Sequence, residues 1–316
     1  MPPPSHNDVI NLIVTCTNRK GSPPAPLHQA RNLKGASAAV RARMWSERLS
    51  ASEDCAAAEQ VYKGDHWSVV RSIAPSRGSV KVYVWVASAG YGLVSPKSRI
   101  VAYAATLSGG HLDSVASSSE ERRSWWASLT TTPPKVSPSG PRSVRQVAAK
   151  FSSSPLIIAA SPEYIDAMAD DILAASERLE KPELLSVLCR TGGAPLELAP
   201  FAVHLTASFA SELGGALTSL NARVLRWLVS FGTAKLTRPT IIRYIRQLSE
   251  RCSARVVPQR SKMADAEVRK HIQEEQRVVL RSRSALLRVL RDKGYAIEQS
   301  RFGKIYNEVA EANGAS

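Results

Sequence analysis

The chain has 316 residues, 44% of them apolar, an ordinary globular value and enough to bury the core of one large or two ordinary domains. Lys and Arg number 42 against 27 Asp and Glu, a net charge of +15 that favours a polyanionic partner through counterion release. Four isolated cysteines, without a C-x-x-C pair, argue against a zinc or iron–sulfur centre. No apolar run reaches the ~18 residues of a membrane span.

The charge is divided unevenly. Residues 1–150 carry +10, residues 151–220 carry −6 and residues 221–316 carry +11. An acidic middle between two basic ends suggests one face or channel built from the ends, a merely solvated basic surface being the alternative. No basic stretch precedes the first apolar run, so a cytoplasmic protein with reduced thiols is expected.

Asp8 to Val14 reads as a continuous apolar strand buried on both faces, in the manner of a parallel sheet. Gly21–Pro26 is a Pro-rich loop, and a helix is expected over Ala36–Leu49. Val80–Ala87, with Tyr83 and Trp85 among valines, predicts a second strand. A helix around Trp125-Trp126 should precede a long loop at Thr130–Gly140. The apolar run 156–160 stops at Ser161-Pro162-Glu163, a helix-start signal. Weaker strands are expected at Leu184–Leu188 and Leu198–Leu205. Strand, polar loop and helix in alternation predict an α/β fold, a three-layer α/β/α sandwich with a mostly parallel central sheet over residues 1–231.

Past Phe231, apolar residues recur at helical spacing through Ile241, Ile245 and Leu248, then Val268, Ile272, Val279, Leu286 and Leu290, among Arg and Lys. Residues 232–316 are therefore expected to be a basic helical DNA-binding region. Its end, Ser284–Lys293, Gly294-Tyr295 and Ser300–Val309, has the pattern of a helix-turn-helix, which any αα-hairpin would share.

Ligands bind outside the carboxyl ends of strands in open α/β sheets, so the loops after the first two strands are the first candidates. The first offers Asn18, able to orient a water, with Arg19 and Lys20 for phosphate; an Asx-type turn is the plainer account. In the second, Gly90 and Gly92 bracket Tyr91, giving either an approachable aromatic face or a tight turn with a packed ring. In Tyr62-Lys63-Gly64-Asp65-His66-Trp67, two aromatics flank a carboxylate. Tyr62 and Trp67 suit stacking on an extruded base or core anchoring, and Asp65 suits water activation or a helix cap. Asp113, near Tyr103 and His111, is the one acidic residue between Asp65 and Glu120, and is a candidate carboxylate or another N-cap. No Lys stands in an apolar sequence setting that would depress its pKa, so Schiff-base chemistry is not expected. G-x-S-x-G, Walker A, G-x-G-x-x-G, H-E-x-x-H and the zinc deaminase motifs are absent, and no cofactor is implied.

Taken in order, Cys16 and Lys20 after the first strand, Tyr62 and Trp67, then Ser88, Ala89, Tyr91, Gly92 and Leu93, then Tyr103 and Thr106, resemble a bacterial family of the uracil-DNA-glycosylase-like superfamily. The resemblance spans residues 8–230, with Leu213-Gly214-Gly215 and 219–223 as a further element. Within that group the chain is most similar to anti-phage DNA glycosylases of the Brig type. The resemblance implies a uracil-DNA-glycosylase-like sandwich that excises α-glucosylated hydroxymethylcytosine from double-stranded phage DNA and leaves abasic sites, with no membrane or protein partner. With the residue readings above, Asn18, Asp113 and Asp65 are the catalytic candidates. Tyr91, Tyr62, Trp67, Ser88, Tyr103 and Cys16 become base-binding candidates. Arg19, Lys20, Lys63, Arg223, Arg281, Arg283, Arg301 and Lys304 are candidate DNA contacts. The Gly-Gln-Asp-Pro and His-Pro-Ser loops of better-known uracil-DNA glycosylases are missing; Asn18 stands where mismatch-type members use an Asn. A non-catalytic DNA-binding regulator and a base-exchange enzyme are the alternatives.

Overall fold

The computed structural model describes residues 9–35, 37–252, 261–278 and 282–314. They form two compact units that divide after Ser253.

The first unit is organised by β1 (Val9–Thr15), whose residues 9–14 are all buried. Side chains alternate between the two faces of a strand, so burial of every residue means that both faces are covered. The polar exception, Asn11, accepts the indole N–H of Trp85 at 3.0 Å. β1 lies parallel to β2 (Val80–Ser88), with Leu12 opposite Val84 and Thr15 opposite Ala87. The short β3 (Gly92–Val94) folds back antiparallel on β2. On its other edge β1 pairs in parallel with β4 (Leu156–Ala159), followed by β5 (Leu185–Arg190) and β6 (Ala202–Leu205).

The helices pack in two groups. One comprises α1 (Ala38–Ser50), α3 (Ser119–Thr131), α4 (Val144–Lys150), α5 (Pro162–Ala167) and α6 (Ala169–Ser176); the other comprises α2 (Asp65–Arg71), α7 (Leu220–Ser230) and α8 (Arg238–Arg251). Ser37, Ser118 and Ser143 cap α1, α3 and α4 by accepting backbone N–H groups. Ser161 precedes α5 as expected, but its hydroxyl donates to Glu163 at 2.8 Å rather than capping.

Two expectations need correction. The strand expected over Leu198–Leu205 is only Ala202–Leu205, because residues 196–201, with Pro200 inside, form a 3-10 helix. The domain boundary expected at 231/232 falls after Ser253 instead. Ile241, Ile245 and Leu248 of α8 bury their stripe in the first unit's core, and Arg238 donates to the carbonyls of Pro182 and Leu185 at 2.7 Å.

The second unit holds α9 (Asp265–Val278), α10 (Arg283–Asp292) and α11 (Gln299–Gly314) around its own core of Val268, Ile272, Leu286, Leu290, Phe302 and Ile305. Gly294, at φ +87°, turns the chain between α10 and α11. No helix among the described residues is long and apolar enough to cross a membrane.

Candidate functional site

The five parallel strands run in the spatial order β2-β1-β4-β5-β6. The chain therefore leaves β1 toward one side and later returns to its other side. Ligands of open α/β sheets bind at such a reversal, so the region beyond the carboxyl ends of β1 and β4 is the candidate crevice. At its floor, the Thr15 carbonyl accepts from His66 Nε2 at 3.1 Å, and the Ala160 carbonyl accepts from Asn221 Nδ2 at 2.8 Å. Burial lowers the pKa of His66, which keeps its imidazole neutral at physiological pH.

The first loop continues the ladder, with Cys16 N–H donating to Ala87 O at 2.9 Å, and places Cys16 Sγ 3.2 Å from the Tyr164 hydroxyl. Asn18 and Arg19 are exposed. Lys63, also exposed, donates its backbone N–H to Arg19 O at 3.0 Å, so two cations without a side-chain partner among the described residues lie side by side here. Lys20 departs from expectation. Its amine turns inward, donating to Thr17 O and, at 3.4 Å, to Asn18 O, and it sits 4.4 Å from the Tyr103 ring centroid. Burial pulls its pKa below the usual lysine value, with Cys16 acting in the other direction. A lysine in an apolar, aromatic setting is thus present, contrary to the sequence expectation.

The aromatic candidates are also placed differently from expectation. Tyr62, Tyr91, Tyr103 and Trp67 are at most 2% exposed. Ser88 Oγ receives the N–H groups of Gly90 and Tyr91 at 3.2 and 3.1 Å and lies 2.7 Å from the Tyr103 hydroxyl, itself 3.1 Å from that of Tyr62. The Tyr91 hydroxyl accepts from Val101 N–H at 3.1 Å, and Trp67 donates to Glu59 O at 3.0 Å. Burial raises the pKa of all three phenols, which stay protonated. Gly90 is required by close packing, since a Cβ there would lie 2.8 Å from the Tyr103 ring. Tyr91, Tyr62 and Trp67 are therefore core rings whose edges meet one another, rather than exposed stacking faces; Ser88 and Tyr103 hold the second loop from within.

Neither candidate carboxylate is free. Asp113, 2% exposed, is clasped by Arg31 through its backbone N–H at 3.2 Å, Nε at 2.8 Å and Nη2. The Arg31 side-chain bonds hold the Asp113 carboxyl below its usual range. Asp65 opens α2 just after Gly64, where an acid suits the helix dipole. It accepts from Ser219 Oγ at 2.6 Å and from Arg223 Nη2 at 2.9 Å, and the Ser219 bond is the main cause of its lowered pKa. Arg223 is thereby committed to Asp65 instead of standing free for phosphate.

The structure brings forward two residues absent from the sequence candidates. His111 Nε2 lies 3.4 Å from Asn18 Nδ2, while its Nδ1 accepts the Asp113 backbone N–H at 3.0 Å. Leu112 beside it is 75% exposed. The Gly109-Gly110 pair ahead of His111, after the largely apolar 103–107, was the available sequence signal for a loop here. In the second unit, Arg283 and Lys304 line an open depression of about 480 Å³ with Glu298, Gln299, Ser300, Gly303 and Asn307. Arg301 is instead paired with Asp265, Nε to Oδ1 2.7 Å, and donates to Met263 O. Arg281 lies outside the described residues. Comparisons with protein-family models, with curated proteins and with solved structures find no match to this chain.

Proposed function

We propose that the chain is a DNA glycosylase of the uracil-DNA-glycosylase-like type, acting on a modified base of phage DNA, with α-glucosylated hydroxymethylcytosine the expected target. The observation that carries this reading is the meeting of Asn18 and His111 at the open rim of the crevice, 3.4 Å apart, beside Arg19 and Lys63. Because Nδ1 of His111 accepts from Asp113 N–H, a neutral imidazole carries its hydrogen on Nε2. Both groups can donate an N–H to one acceptor oxygen of a ligand that enters beside them. On a departing pyrimidine the acceptor is the ring carbonyl on which negative charge collects as the glycosidic bond breaks, and preorganised donors there lower the barrier. Water then adds to the sugar cation.

Arg31 and Asp113 act one step back, by fixing the loop that carries His111. Arg19 and Lys63 suit backbone phosphates, and Leu112 suits the gap left in the stack by an extruded base. A non-catalytic DNA-binding regulator is the second reading, favoured by the burial of every aromatic ring assigned to stacking. The deciding experiment incubates the full chain with glucosylated phage DNA, weighs released bases by mass spectrometry and counts abasic sites by alkaline cleavage. Free modified base with matching abasic sites is the expected result; neither above background, on modified and unmodified DNA alike, selects the regulator.

A further inference from the structure

Base release as described above uses donors and water and leaves idle the amine of Lys20, which lies behind the first loop. Its side chain lies over two ring faces, with Nζ 4.4 Å from the Tyr103 centroid and 5.2 Å from that of Tyr62. Nζ donates to the carbonyls of Thr17 and Asn18, so it sits directly under the loop that presents Asn18. Both carbonyl bonds are compatible with a neutral amine, and no carboxylate pairs with this nitrogen among the described residues.

We propose that Lys20 is a carbonyl-capturing nucleophile that condenses with the C1′ aldehyde of ring-opened abasic deoxyribose, an inference that rests on the base-release reading. In the condensation, the nitrogen lone pair bonds to C1′, the two amine hydrogens and the aldehyde oxygen leave as water, and a C1′=N imine remains. The imine acidifies C2′. Loss of a C2′ proton to water expels the 3′ phosphate, breaks the C3′–O bond and nicks the strand; hydrolysis of the imine returns the free amine. Burial supports the step, because an amine with a lowered pKa is unprotonated, and so nucleophilic, in a larger fraction at neutral pH.

The experiment supplies the aldehyde directly. The full chain is mixed with duplex DNA whose abasic site was made beforehand, sodium cyanoborohydride is added, and the covalent protein–DNA product is digested and mapped by mass spectrometry. An adduct on Lys20 is the expected result. Its yield should fall at least about tenfold in Lys20→Arg, because a guanidinium stays protonated and cannot condense. No adduct with the native chain, or an adduct mapped to another amine, overturns the proposal, and this holds even if Lys20→Arg fails to fold. Because no base release is needed, failure here leaves the glycosylase reading intact. Failure to release base from phage DNA, alongside a Lys20 adduct on supplied abasic DNA, would instead count against that reading alone.

Discussion

Gly90→Ala tests whether the second loop is held from inside the core. An alanine for a glycine at an unstrained position ordinarily stabilises by ~0.4–1 kcal/mol through the unfolded chain. Gly90 is not at positive φ among the described residues, so backbone strain adds nothing. The added Cβ, however, would lie 2.8 Å from Cδ2 and Cε2 of Tyr103 and 3.1 Å from Cζ. The ring must retreat by roughly 0.6–1 Å to ordinary contact, in a close-packed interior that resists such shifts. Overpacking of this kind costs ~1–3 kcal/mol. Moving the ring also strains the 2.7 Å contact of its hydroxyl with Ser88 and the 3.1 Å contact with Tyr62. A buried hydrogen bond is worth ~1 kcal/mol, so the net expectation is about 2–3 kcal/mol of destabilisation. At ~2–4 °C per kcal/mol for a unit of this size, melting should fall by roughly 4–12 °C. Thermal unfolding followed by tryptophan fluorescence reads this directly. An unchanged or raised melting temperature would show that Tyr103 is not locked and that the second loop is free to open.

Asn18→Ala and His111→Ala should each slow base release by about a hundredfold, the cost of one preorganised donor, with DNA affinity within a few-fold; native turnover in both would remove these donors from the chemistry. Asp113→Asn should lower melting at pH 7 by several degrees while base release tracks the folded fraction. Its carboxyl is depressed in the folded state, so the stabilisation is present above the unfolded value of about 4 and fades as pH falls through the folded one. The gap from the native chain should therefore close below about pH 4, and a fully folded Asp113→Asn without turnover would make the carboxylate a reactant. Replacing Arg283 and Lys304 by Ala should reduce the salt slope of DNA binding by about one each, whereas Arg301→Ala, which breaks the Asp265 pair, should loosen the second unit and leave the slope unaltered. Equal effects of all three on the slope would contradict that division.

Three of the five parallel strands were legible because each is a short apolar run ending in a polar loop, whereas β6 was read too long. β1, β2 and β4 fall within a residue or two of expectation, and so do α1 and α10. Which way a side chain turns was not legible. Tyr62 and Tyr91 have the same spacing whether their rings face a ligand or each other, and only the 101–107 segment, folding in from elsewhere, settles the matter. Asp113 stood alone among neutral and basic neighbours in the sequence, yet its partner Arg31 is 82 positions away. Lys20 lacks apolar sequence neighbours because its surroundings are Tyr62 and Tyr103, brought in by tertiary folding. The helical stripe of α8 was correctly periodic, but periodicity does not say which core receives it.

The crevice floor also has a polarity that bears on how anything enters it. The carbonyls of Thr15 and Ala160 are taken by His66 and Asn221, and those of Thr17 and Asn18 by Lys20. What remains at the rim is the Asn18 amide, with an N–H and a carbonyl oxygen, and the His111 N–H. On the proposed glycosylase reading, a carbonyl edge of an incoming base would find two N–H donors at this rim, whereas an exocyclic amine turned the same way would find the Asn18 oxygen beside carbonyls already taken. A cytosine-type ring would enter carbonyl first, with its amine and any bulky 5-substituent directed outward, where a sugar adduct can stay in water.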